Sequence, residues 1–154
     1  MELILWRHAD AESGREDMKR ELTDKGRKQA ARIAKWLRKR ISKEWLILSS
    51  PAVRTCQTAD ALEMKYATKL TLSTDATPNS VLREAHWPDG NQNVIIVGHQ
   101  PTLGQIAASL LSGRHGDISV KKGAIWWFST TEEDEMISGI TLRTVINPDL
   151  VEAD

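Results

Sequence analysis

Three stretches of this 154-residue chain place charged or titratable side chains where an apolar run ends. Ile4-Leu5-Trp6 runs into Arg7-His8, Leu46-Ile47-Leu48 leads through Ser49-Ser50-Pro51 to Arg54, and Val94-Ile95-Ile96-Val97 breaks into Gly98-His99-Gln100-Pro101. Such groups are costly at the end of a core element unless a partner or ligand satisfies them. Read singly, each has an ordinary structural role, as a satisfied strand-end histidine or a surface ion pair. Their recurrence at three strand ends points to a site. Two arginines and two histidines repel one another unless an anion sits among them. Arginine keeps its proton and matches phosphate oxygens with two parallel donors. A neutral imidazole nitrogen can attack phosphorus near pH 7. Binding and transfer of a phosphoryl group are the chemistry these residue types allow.

Other phosphate and metal chemistries do not fit. The chain has no G-x-x-x-x-G-K-[ST] loop. The cysteine phosphatases need an arginine six positions after the cysteine, but six after Cys56 stands Leu62. Four scattered histidines and one cysteine show no zinc-ligand spacing, so neither metal nor cofactor is expected.

For the three loops to meet, the apolar runs must lie side by side. Glu2 to Trp6 reads as a strand of buried type. Thr23 is a helix N-cap, and Ala30, Ile33, Ala34, Leu37 and Ile41 form a stripe at helical spacing. Trp45 to Leu48 reads as a second strand, with Ser50 capping the next helix and Pro51 at its first position. Lys69 to Leu72 reads as a short third strand, Ser80 to Ala85 as a short helix, and Pro88-Asp89-Gly90 as a turn. Asn93 to Val97 is a strand, followed by a helix whose stripe is Leu103, Ile106, Ala107, Leu110 and Leu111 and which Gly113 ends. Ala124 to Phe128 and Ile137 to Ile146 read as two strands joined by a solvated acidic turn, Glu132 to Glu135.

This alternation predicts one α/β domain over residues 1–154, a three-layer α/β/α sandwich whose mainly parallel sheet has an antiparallel edge. In such a sheet the ligand crevice lies beyond the carboxyl ends of the strands, where the three loops converge.

Composition bounds the rest. With 40% hydrophobic and 27% charged residues the chain is of ordinary globular type. No window approaches 18 uninterrupted apolar residues, so no membrane association is expected. The start, Met-Glu-Leu-Ile-Leu-Trp, lacks a basic leader, and the single Cys56 cannot form an internal disulfide; together they predict a cytoplasmic protein. The net charge of zero conceals an asymmetry: residues 1–77 hold 16 Lys and Arg against 11 Asp and Glu, and residues 78–154 hold 5 against 10. Most of the excess lies between Lys25 and Lys43 at helical spacing, which reads as one solvated helix face. No aromatic residues interleave with these bases as stacking on nucleic acid requires, so no nucleic-acid partner is expected.

The residues resemble the histidine phosphatase superfamily, the phosphoglycerate mutase-like family. Its R-H-G motif appears as Arg7-His8-Ala9, with alanine for glycine. S-x-x-x-R-x-x-Q-T-A appears as Ser50 to Ala59, and G-H-x-P as Gly98-His99-Gln100-Pro101. With the Leu22-Thr23-x-x-Gly26 helix start, the resemblance covers nearly the whole chain. Only 39 residues separate Arg54 from Val94, so there is no room for the long lid insertion of the mutases. The chain is therefore similar to the compact SixA-type phosphohistidine phosphatases, whose start resembles Arg7-His8-Ala9-Asp10-Ala11.

The resemblance implies that His8 attacks phosphorus and becomes phosphohistidine, while Arg7, Arg54 and His99 hold the equatorial oxygens. Arg20 is a candidate fourth contact, equally readable as a solvated loop residue. Two candidates stand for the general acid, Asp10 by nearness to His8 and Glu84 by its place in the chain. A departing imidazole, with a pKa of about 6.5, is far easier to release than an alkoxide. An ill-defined acid therefore favours phosphohistidine on a protein as substrate. The alternatives are a small phosphate ester, such as a nucleotide or sugar phosphate, and a non-catalytic phosphate-binding module.

Overall fold

The structure, a computed structural model, describes residues 1–152. Among these residues six strands form one sheet: β1 (Glu2–Arg7), β2 (Leu46–Ser49), β3 (Ala67–Thr68), β4 (Val94–Gly98), β5 (Ile125–Glu133) and β6 (Met136–Ile146). Their order is β3-β2-β4-β1-β5-β6. The pairs β2–β3, β2–β4 and β1–β4 are parallel, and β1–β5 and β5–β6 antiparallel, so the expected architecture holds. Leu3 to Trp6 and Val94 to Val97 are buried throughout, as central strands covered on both faces must be.

Alternate side chains of these strands serve two cores. Ile4, Trp6, Ile95 and Val97 pack with Ile33, Ala34 and Leu37 of α1 (Asp24–Arg38) and Ala59 of α2 (Val53–Asp60). Leu3, Leu5 and Ile96 pack with Val81 of α3 (Pro78–Glu84) and Leu103, Ile106 and Ala107 of α4 (Thr102–Ser112). The helices thus cover opposite faces of the sheet, giving three layers.

Register aligns the strand ends. Arg7 stands opposite Gly98 and Ser49 opposite Val97. His8 and His99 therefore leave the sheet at the same level, with Ser50 beside them.

The start of α1 is fastened to the loop after β1. Thr23 caps the helix, its Oγ1 accepting the Gly26 N–H at 2.9 Å. A Cβ built on Gly26 would overlap the Asp10 carbonyl oxygen. The glycine of the Leu22-Thr23-x-x-Gly26 pattern is there because only a bare Cα lets this loop lie on the helix.

Three expectations are corrected. The third strand is Ala67–Thr68 rather than Lys69 to Leu72, where the chain forms a 3-10 turn over Leu70–Leu72. A strand would put Leu70 and Leu72 on one face. The turn separates them, burying Leu72 (2% exposed) and leaving Leu70 in solvent (83%). Ser50 does not cap α2: the N-cap position is Ala52 and the helix begins at Val53, leaving Pro51 outside it. The acidic connection is shorter than four residues. Strand pairing reaches Glu133 and Met136, and Asp134 and Glu135 alone form the turn, with φ of 51° and 64° as tight hairpins require.

Candidate functional site

His8 follows directly on β1. Its N–H donates to the Gly98 carbonyl at 3.1 Å, and the Gly123 N–H donates to the carbonyls of Arg7 (3.1 Å) and His8 (3.0 Å). The residue is held from β4 on one side and from the turn before β5 on the other. Its Nδ1 lies 2.7 Å from the Ala9 carbonyl oxygen. A carbonyl can only accept, so Nδ1 carries the proton and the Nε2 lone pair is free. Burial pushes the His8 pKa down to about 4, and the charges of Arg54, Arg7 and Arg20 push the same way against the Ala9 bond. The ring is neutral at physiological pH.

His99 lies beside it, with ring centroids 5.5 Å apart. Arg54 Nη2 approaches His99 Nδ1 at 3.4 Å and can only donate, so in the neutral ring Nε2 carries the proton and donates to Ser50 Oγ at 2.8 Å. Burial, then the Arg54 charge, lowers the His99 pKa to about 3.

Arg54, in the first turn of α2, is buried (3% exposed). Its Nη1 donates to the Asp17 carbonyl at 2.7 Å and its Nη2 to Asp17 Oδ2 at 3.1 Å. Arg7 donates from Nη1 to the Val120 carbonyl at 2.9 Å. Among the described residues the Nε atoms of both arginines are buried and without a hydrogen-bond partner. An orphaned buried donor costs about 1–3 kcal/mol. The two guanidiniums also repel each other, the Arg54 charge adding to burial in lowering the Arg7 pKa. An anion bound beside them would screen both charges.

Arg20 joins this cluster through a shared anion. Its Nε and Nη2 donate to Asp17 Oδ1 at 3.1 and 2.9 Å, so one carboxylate bridges Arg20 and Arg54. Asp10 faces elsewhere: Oδ2 accepts from Thr23 Oγ1 at 2.8 Å and Oδ1 from Lys122 Nζ at 3.1 Å. Those bonds hold its carboxyl below the usual range. Glu84 Oε1 accepts from Thr71 Oγ1 at 2.8 Å, on α3. Of the sequence candidates, Arg7, His8, Arg20, Arg54 and His99 form one cluster, whereas the carboxylates of Asp10 and Glu84 bond to residues outside it.

Sequence reasoning missed three supporting residues. Ser50 was read as a cap, but it holds His99. Thr58 accepts the Ala9 N–H at 3.1 Å and donates to the Arg54 carbonyl at 2.8 Å, tying the two loops together. Its place in the Q-T-A portion of the motif was the available signal. Asp17 sits on an exposed 3-10 turn, Asp17–Lys19, with no local pattern to mark it.

Comparison with known proteins gives the family and the fold. The model of the histidine phosphatase superfamily (branch 1) matches residues 3–89. A phosphohistidine phosphatase SixA homolog of Haemophilus influenzae is 31% identical over 131 residues, spanning 75% of this chain and 80% of that protein. The structure of a SixA of Nakamurella multipartitia, itself described as a putative phosphohistidine phosphatase, is 27% identical. It superimposes with a TM-score of 0.76 over 96% of this chain and 95% of its own. The protein histidine phosphatase SixA complexed with tungstate shares the fold at a TM-score of 0.78 and 23% identity, over 97% of this chain and 98% of its own. With a family model matching more than half its length and a relative of this identity, the chain belongs to the histidine phosphatase superfamily, branch 1.

Proposed function

We propose that this chain is a phosphatase working through a covalent phosphohistidine on His8, and that its substrate is phosphohistidine on a protein. The observation that carries the reading is a neutral His8 with a free Nε2, set among guanidiniums whose two buried Nε–H donors have no partner. In the first step the Nε2 lone pair bonds to phosphorus and the bond to the leaving nitrogen breaks, that imidazole taking a proton from solvent. In the second step water bonds to phosphorus and the P–Nε2 bond breaks, giving inorganic phosphate, with the water proton passing to solvent. Arg7, Arg54 and His99 surround the equatorial oxygens, where charge spreads in the transition state. The charge of a bound phosphoryl group opposes the Arg54 repulsion at His99, raising its pKa and favouring a donor there. Arg20 supports Arg54 through Asp17.

The choice of a P–N over a P–O substrate rests on the carboxylates. Hydrogen bonds from Thr23 and Lys122 keep Asp10 ionised, and Arg20 first, then Arg54, keep Asp17 ionised. Neither holds a proton for an alkoxide, whereas a leaving imidazole with a pKa of about 6.5 needs little help. The similarity to proteins described as phosphohistidine phosphatases supports the same choice. Among the described residues no helix is long and apolar enough to cross a membrane. A cytoplasmic location fits the single free Cys56.

The test is phosphate release from a phosphohistidine peptide, compared by kcat/KM with a panel of phosphate esters, together with trapping of an acid-labile phosphoenzyme. The phosphoryl group should map to His8, and His8→Ala should abolish turnover with the fold intact. A marked preference for one ester would overturn the protein-phosphatase reading.

A further inference from the structure

A cavity of about 500 Å³ opens beside Arg7, lined among others by Asp10, Lys25, Lys121, Lys122 and Asp149. A second, of about 310 Å³, shares Lys25, Gln29, Pro148 and Asp149 with it and adds Lys28 and Arg32. The shared lining makes them one groove, leading from the His8 strand end along the first turns of α1. Lys25, Lys28 and Arg32 fall at i, i+3 and i+7, on one face of that helix. At 1.5 Å per residue they extend the groove by roughly 10 Å.

Among the described residues six cations line the groove against two carboxylates, Asp10 and Asp149. One of these, Asp10, is already paired with Lys122. Lys25, Lys28, Arg32 and Lys121 make no ion pair among the described residues. The whole chain carries no net charge, so this excess is local.

The lysines of the far wall are also fixed relative to the nucleophile. Lys121 and Lys122 precede Gly123, whose N–H is bonded to the carbonyls of Arg7 and His8 and whose carbonyl accepts Trp6 Nε1 at 2.9 Å. Gly123 sits at φ 77°, which keeps this turn tight against β1.

We infer that this groove docks an acidic surface of the phosphorylated protein, with carboxylates flanking the phosphohistidine held by Lys25, Lys28, Arg32 and Lys121. The inference rests on the phosphohistidine reading above. Its physical basis is length and chemistry: the track runs beyond the reach of a small ester. Among the described residues its lining holds no aromatic side chain on which a nucleobase could stack.

The experiment uses two phosphohistidine peptides of equal length, one flanked by Asp and Glu and the other by Asn and Gln. The enzymes are the wild type and the exposed-site triple variant Lys25→Gln, Lys28→Gln, Lys121→Gln. The wild type should show a KM about tenfold lower for the acidic peptide at low salt, with the advantage shrinking as ionic strength rises. In the triple variant the ratio of the two KM values should approach one. Equal KM values in the wild type, or a ratio the variant leaves unchanged, would overturn the inference. So would a duplex oligonucleotide that competes as strongly as the acidic peptide. Inhibition of p-nitrophenyl phosphate hydrolysis by the unphosphorylated acidic peptide provides a second readout. If neither phosphopeptide is hydrolysed, the phosphohistidine reading fails; inhibition that is lost in the triple variant would still support the groove, and its absence would overturn it.

Discussion

The carboxylate of Asp17, on an exposed turn, sits in the guanidinium fork of the buried Arg54: Asp17 Oδ2 lies 3.1 Å from Nη2, and its backbone carbonyl takes Nη1 at 2.7 Å. The same side chain receives two bonds from Arg20. An internal anion thus holds the arginine assigned above to the phosphoryl group, aiming it and competing for its Nη2 at once.

Competition should dominate when the charge alone is removed. Asp17→Asn keeps the side-chain shape and the backbone carbonyl contact. A charge-assisted bond this exposed contributes about 1 kcal/mol, which corresponds to roughly fivefold in binding. The inhibition constant of inorganic phosphate should fall by about that factor, measured by product inhibition. An unchanged or higher constant would assign Asp17 to aiming alone.

The histidines set the acid limb of activity and of stability. His8 attacks as the neutral ring, so kcat/KM should stay level, as far as His8 is concerned, from neutral pH to about 5 and fall as pH drops through about 4. For stability the sign follows from the depressed values. Between the unfolded value near 6.5 and the folded values of about 4 for His8 and about 3 for His99, the unfolded chain takes up protons that the folded chain refuses. The contribution is complete above pH 6.5 and is lost as pH falls through the folded values. Thermal melts between pH 7.5 and 4 should show Tm dropping, less steeply in His8→Gln.

Arg54→Lys retains the charge but not the planar fork or the Nε–H donor that stands unpartnered. Loss of one preorganised donor of a charge-stabilising site costs about 10²–10³ in rate. We expect kcat/KM to fall by that amount, with circular dichroism unchanged.

Gly26→Ala tests the contact between the β1 loop and α1. The new Cβ must displace the Asp10 carbonyl, which also accepts the Thr23 N–H at 3.0 Å. Overpacking against backbone costs about 1–3 kcal/mol, or more where it cannot relax. At about 2–4 °C per kcal/mol for a domain of this size, Tm should fall by several degrees.

Much of the fold was legible because its signals are local. The buried runs of β1 and β4, the α1 stripe and the Thr23 cap each follow from side-chain period and backbone hydrogen bonding within a few residues. Lys69 to Leu72 was misread because four residues with two leucines suit a strand as well as a 3-10 turn. Burial of Leu72 against the core decides between them. Ser50 was misread for a related reason: a serine before a proline looks like a cap, and its bond to His99 crosses 49 positions.

The amino-acid sequence by itself determined most strand and helix segments and the residue types, Arg7, His8, Arg54 and His99, that stand at or shortly after the ends of three strands, because periodicity, capping and side-chain chemistry are carried by neighbouring positions. The tertiary structure alone decided the register that sets His8 beside His99, the two unpartnered guanidinium donors, the Asp17 bridge and the basic groove. Each of these depends on which distant groups are brought within hydrogen-bond or Coulomb range. Strand pairing and burial determine that proximity, and no short stretch of the chain encodes it.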